Sequence, residues 1–150
     1  MRAPVVVIAV GNPSRGDDAI GPELAERLER EDLPGVEVIV DYQLQIEHSL
    51  ELEGRTLAVF VDASVSTPSP CSVDVVRPER DASHSTHSLS PAALLETYVR
   101  CTGRQPPPAR VLAVRGERFE LGEPLSPAAR VNLEAAWVQL RDLAAGPTRD

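Results

Sequence analysis

A chain of 150 residues with a net charge of -8 and a pI near 4.9 is long enough to bury a full core as one domain, 1–150, without disulfides or structural metal. Every basic residue is an arginine and no basic stripe is interleaved with aromatics, which excludes nucleic acid as the expected partner. Two distant cysteines, Cys71 and Cys101, no charged-then-apolar leader and no apolar run of bilayer length point to a reducing cytoplasm.

Val5 to Val10, VVVIAV, has the run length and β-branching of a strand buried on both faces. Gly11-Asn12-Pro13 stops it. Gly11 permits close backbone approach or a positive φ, Asn12 tolerates such geometry, and Pro13 cannot donate to a ladder. The loop then carries adjacent carboxylates, Asp17 and Asp18, before Ala19, Ile20, Leu24, Ala25 and Leu28 recur at helical spacing. In an open α/β sheet this loop lies at the carboxyl end of its strand, where ligands bind. The pair are therefore candidates for chemistry. The plainer reading is that one of them caps the helix, although a cap needs only one.

A turn at Leu33-Pro34-Gly35 leads into a second strand over Val36 to Val40 that ends at Asp41, and a right-handed βαβ crossover makes it parallel to the first. From Asp41 to Gly54, Leu44, Ile46, Leu50 and Leu52 fall at approximately helical intervals and predict a short helix, with Glu47 and His48 on its solvated face. Thr56 to Val61 predicts the third strand, which delivers Asp62 at its carboxyl end. The Ser/Thr/Pro stretch that follows offers no helix for it to cap. Asp62 therefore ranks above Asp41 as a site residue.

Val73 to Arg77 alternates as a short edge strand. Arg77 to Ser88 lacks apolar periodicity, carries His84 and His87, and is expected to be a mobile surface loop. Ser90-Pro91 opens a helix in the favoured order, cap then proline, with Leu94, Leu95, Tyr98 and Val99 inward and a stop near Thr102-Gly103. A buried strand over Ala109 to Val114, a long loop from Arg115 to Leu125 and a last helix from Ser126-Pro127 to Gly146 complete the pattern. Trp137 is expected in the core of that helix, and 147–150 as a loose tail.

Alternating strands and helices predict an α/β three-layer sandwich whose mostly parallel central sheet of about five strands is flanked by helices. With the first strand between the second and third, Asp17, Asp18 and Asp62 converge at one sheet edge. Carboxylates gathered in one crevice repel unless they share a proton or hold a cation. A divalent metal supplies that charge and a neutral imidazole completes the donor set, a mixture that suits zinc, nickel or iron better than calcium or magnesium. Of the two loop histidines, His87 lies nearer the anchored helix start at Ser90.

GNPSRGDDAIG after the first strand, FVDAS at the end of the third and HSLSPAALL opening a later helix resemble, in that order, the motifs of the hydrogenase maturation proteases. The similarity spans nearly the whole chain. It implies an endopeptidase that removes a short carboxyl-terminal extension from the large-subunit precursor of a NiFe hydrogenase, with nickel already held in the precursor as the recognition signal. Carried over position by position, the family's metal-contacting and catalytic residues fall on Asp18, Asp62 and His87. Gly11 and Asn12 match its glycine-asparagine, and Leu125 to Ala129, LSPAA, its last helix start. The precursor would supply the nickel, and in isolated protein the site is expected to be empty or filled adventitiously by another divalent metal. One segment departs from the pattern. Most members carry a glycine-rich DGGT-like stretch after the second strand, where this chain has Asp41-Tyr42-Gln43-Leu44-Gln45; that stretch would border the crevice, so it bears on substrate choice and on the role of Asp41.

Other classes fit less well. A phosphoacceptor receiver domain also pairs acids after strand one with an aspartate ending strand three, but it needs a lysine near the fifth strand, and the chain has none. GNPSRGDD is neither GxGxxG nor a P-loop, and its two aspartates would repel a phosphate. There is no GxSxG, and both cysteines lie outside the motifs, so no serine or cysteine nucleophile is set up. A precursor-binding protein without proteolytic activity is the remaining alternative, which a cleavage assay separates.

Overall fold

The computed structural model of the chain describes residues 2–80 and 89–145. The expectations for His84, His87 and the tail lie outside the described residues. In chain order the elements are β1 (Val5–Val10), α1 (Ile20–Glu31), β2 (Val36–Asp41), β3 (Leu57–Ser64), β4 (Cys71–Val76), α2 (Pro91–Thr102), β5 (Ala109–Arg115) and α3 (Pro127–Ala144). The sheet order is β2-β1-β3-β5-β4. Its first four members are parallel, and β4 runs antiparallel to β5 along the edge. The connection from Ser64 to Cys71 is too short for a crossover helix, so β4 has to return in the opposite direction.

Each strand residue faces one of two apolar layers. Val5, Val7 and Ala9 pack with Leu24, Leu28, Leu133 and Leu140 of α1 and α3, whereas Val6 and Ile8 pack with Leu94, Leu95 and Tyr98 of α2. A strand covered on both sides has no polar face, which is why β1 reads as a continuous apolar run. Each of these fully buried Leu or Ile side chains contributes about 1.5–3 kcal/mol. The helix ends follow their local chemistry: the Ser90 and Ser126 hydroxyls accept the Ala93 and Ala129 N–H at 3.1 and 3.2 Å, and α2 stops at Gly103 with φ 70. Among the described residues, no helix is long and apolar enough to cross a membrane.

Three elements depart from the sequence expectation. The stretch from Asp41 to Gly54 forms a 3-10 helix over Ile46–Leu52, whose inner flank is taken by His48, Ser49 and Leu52. Ile46 and Leu50 face solvent as a result, and His48 is buried where a solvated face was expected. So short a helix packs beside α2 along one flank only, and position along the chain decides which residues lie on it. β3 continues past Val61 because β5 continues beside it, pairing Asp62 with Ala113 and Ser64 with Arg115; Asp62 is thus held within the strand. Trp137 is partly buried at the core margin, with the Arg27 guanidinium 4.6 Å from its ring centroid. Leu133, Ala136, Leu140 and Ala144 form the inward stripe of α3, and Trp137 flanks it.

Candidate functional site

The turn after β1 is shaped by its glycine. Gly11 has φ +148, and a Cβ there would run into the Asp18 carbonyl oxygen, so no other residue allows the acidic turn to fold back this closely. Gly11 N–H donates to Asp41 O at 3.1 Å, which ties the start of the turn to the end of β2. Asn12 N–H donates to Asp18 Oδ2 at 2.7 Å, and Asn12 Oδ1 accepts Ser14 N–H at 2.9 Å. The two residues singled out in sequence, Gly11 and Asn12, therefore aim Asp18. A 3-10 turn over Gly16–Ala19 then leads into α1.

Asp17 and Asp18 point to different places. Asp17 is 0% exposed. Its Oδ2 accepts Glu117 N–H, Arg118 N–H and the Ser126 hydroxyl at 2.7, 3.0 and 2.8 Å, and its Oδ1 accepts Ser126 N–H at 2.7 Å. Burial alone would raise this carboxyl, but the bonds from Ser126, Arg118 and Glu117 together outweigh it and hold the group below its ordinary value. Backbone bonds reinforce the junction: Asp17 N–H to Arg118 O at 2.7 Å, Gly16 N–H to Glu123 O at 3.0 Å and Gly122 N–H to Ser14 O at 2.7 Å. Neither aspartate caps α1, whose N-cap residue is Ala19 with no side-chain bond. Asp17 instead clamps the turn after β1 to the loop before α3.

Asp18 turns the other way, into a cleft of about 310 Å³ at the carboxyl edge of β1, β3 and β5 whose lining includes Asp62, Tyr42, Gln43, Phe60 and Pro91. This is the edge at which ligands enter open α/β sheets. Asp62 shares a strand face with Ala58 and Phe60, the α2 side of the sheet, so strand alternation aims it at the cleft. Its side chain opens toward solvent, while the protein around it and then the charge of Asp18 push its carboxyl up to about 7, against a lowering bond from Ala63 N–H. The structure thus brings Asp18 and Asp62 to one cleft, where they offer oxygen donors to a cation, whereas Asp17, expected to converge there with them, is turned away onto Ser126. Among the described residues, no cluster of three or more His, Cys, Asp or Glu side chains forms a metal cage. His87 lies outside those residues; Leu89 and Pro91 at the approach to α2 line the cleft.

Asp41 pairs with Val10 at the end of β2. Its Oδ1 accepts Tyr42 N–H at 2.7 Å and its Oδ2 lies 3.3 Å from His48 Nε2. Sequence reasoning did not find the Asp17–Ser126 bond or the buried His48. The first joins residues far apart in the chain and leaves no local pattern. The second had a weak signal, since Gln45 and His48 stand at N-cap and N3 spacing.

No protein-family profile matches the chain, and no curated protein does. Solved structures do. The hydrogenase-maturating endopeptidase HybD from E. coli superposes with a TM-score of 0.73 at 27% identity, over 95% of this chain and 91% of that one. An endopeptidase from Escherichia coli gives 0.69 at 28% identity, over 93% and 90%. The NiFe hydrogenase maturation protease HycI from Thermococcus kodakarensis KOD1 gives 0.72 at 22% identity, over 97% and 94%, and speaks for the fold. The resemblance to hydrogenase maturation proteases carried by the three motifs therefore extends to the folded chain across most of its length.

Proposed function

We propose that this protein is an endopeptidase that trims the carboxyl-terminal extension from a nickel-loaded NiFe-hydrogenase large-subunit precursor in the cytoplasm, with the precursor's nickel as the recognition element. The observation that carries the reading is the meeting of Asp18 and Asp62. One comes from the 3-10 turn after β1 and the other from β3, they line the same open cleft, and desolvation by the surrounding protein, followed by the charge of Asp18, raises Asp62 to about 7. A divalent cation entering between them would relieve their repulsion, and two carboxylates would neutralise it. His87 is the third donor in this reading, supplied from the segment before α2. The metal belongs to the substrate, so the protein's part is to hold a half-built donor set rigid and leave the opposite side free for the precursor. Asn12 N–H on Asp18 Oδ2 and the β3–β5 register around Asp62 fix both acids before the substrate arrives.

The likeness to HybD from E. coli supports peptide hydrolysis, since that protein is a hydrogenase-maturating endopeptidase and matches nearly the whole chain. The test is cleavage of purified nickel-loaded precursor by wild type, Asp18→Ala, Asp62→Ala and His87→Ala. Each variant is expected to trim at least ~100-fold more slowly, a loss of about 2.7 kcal/mol of transition-state stabilisation. Wild-type rates in Asp18→Ala or His87→Ala would sink the assignment. A wild-type protein that binds the precursor and leaves it intact would establish the non-proteolytic alternative.

A further inference from the structure

His48 is 8% exposed, and the segment that precedes it engages both ring nitrogens. Nδ1 accepts Gln45 N–H at 2.8 Å, and Nε2 lies 3.3 Å from Asp41 Oδ2. An acceptor at Nδ1 needs a lone pair there, so the proton of the neutral ring sits on Nε2 and faces the carboxylate. His48 N–H also donates to Gln45 O at 2.9 Å. Asp41 and Gln45 are the two ends of one connection, and a single imidazole closes it.

The three residues enclosed, Tyr42, Gln43 and Leu44, all line the cleft that holds Asp18 and Asp62. Leu44 is buried beneath, while Tyr42 is 66% exposed and forms the outer lip. Asp41 O accepts Gly11 N–H, so the closed connection also abuts the turn that aims Asp18. Burying an imidazole is unfavourable unless both nitrogens are satisfied. Here both face polar partners within this one connection, so the residue fixes the shape of the loop as well as filling space.

We propose that His48 is a positioning residue for substrate selection: it sets Tyr42 and Gln43 as the wall along which an extended peptide segment of the precursor lies beside the two acids. The inference rests on the proteolytic reading of the cleft. His48 does not reach the peptide itself. Tyr42 supplies apolar ring area at the lip and Gln43 an amide that can both donate to and accept from a peptide backbone. Loosening the connection leaves Asp18 and Asp62 in place but costs substrate the pre-ordered wall, so the loss falls on binding ahead of the chemical step.

The experiment measures kcat and KM on nickel-loaded precursor for wild type, His48→Ala, His48→Asn and Tyr42→Ala. Asparagine keeps a side-chain oxygen near the position of Nδ1 and so retains the tie to Gln45 N–H. The expected result is a KM raised ~10-fold or more in His48→Ala and Tyr42→Ala with kcat within about twofold, and recovery of most of the KM in His48→Asn. A merely structural histidine would lower the active fraction, and hence kcat, with KM unchanged; that outcome overturns the inference and leaves the proteolytic reading standing. If His48→Ala does not fold, an unchanged KM in Tyr42→Ala overturns it equally. A wild-type protein that does not cleave the precursor overturns both.

Discussion

Asp17 and Asp18 are consecutive, identically charged and carried on one short turn, yet they serve two unlike regions. Asp17 is sealed in a junction where four hydrogen-bond donors from the loop before α3 converge on it. Asp18 meets one backbone N–H from Asn12 and faces an open cleft beside a second carboxylate. In the junction, donors from Ser126, Arg118 and Glu117 outweigh burial and hold the Asp17 carboxyl below its ordinary value; in the cleft, desolvation and then the charge of Asp18 raise that of Asp62. A buried anion satisfied by the fold belongs to stability, whereas neighbouring acids left facing each other are available for a ligand. The junction anchors the turn that carries Asp18.

The strongest way to break this contrast is to delete each acid in turn. Asp17→Ala leaves the Glu117, Arg118 and Ser126 N–H groups without their acceptor and is expected to cost about 3–5 kcal/mol in urea unfolding. Asp18→Ala removes one bond and also a repulsion, so its unfolding free energy should stay within ~1 kcal/mol of wild type while activity collapses. Equal stability losses in the two variants would erase the distinction.

Ser126→Ala probes the junction from its other side. The hydroxyl both donates to Asp17 Oδ2 and accepts Ala129 N–H at the start of α3. Its loss is expected to destabilise by about 1–2 kcal/mol, with cleavage kinetics of the folded fraction unchanged.

The smallest effect sharpens the comparison by its sign. Asp17 has a depressed folded pKa, so its stabilisation is present above the unfolded value of about 4 and is lost as pH falls through the folded one. Asp62 is raised to about 7, so between pH ~4 and ~7 the folded chain retains a proton that the unfolded chain has released, and stability falls as pH rises through that window. Water at the open cleft screens the effect to an order of 1 kcal/mol. Urea titrations of metal-free wild type and Asp62→Asn from pH 4 to 8 should show the decline in wild type alone.

Sequence by itself determined the layered α/β architecture and the end of β1. Apolar runs, Ser-Pro caps and glycine stops are local signals, and local energetics enforce them: β1 and α2 begin and end where Gly11, Ser90 and Gly103 dictate. Taking the usual doubly wound order, with β1 between β2 and β3, brought Asp18 and Asp62 to one edge, as the structure has them, but it also placed Asp17 there, which the structure does not. Only the tertiary structure decided what each polar residue meets. It sent Asp17 to Ser126 across most of the chain's length, drew His48 inward onto Asp41 and Gln45, and carried β3 past Asp62 alongside β5. A hydrogen bond between distant segments depends on loops whose path no periodicity encodes, so a carboxylate's neighbours cannot be read from its own stretch of sequence.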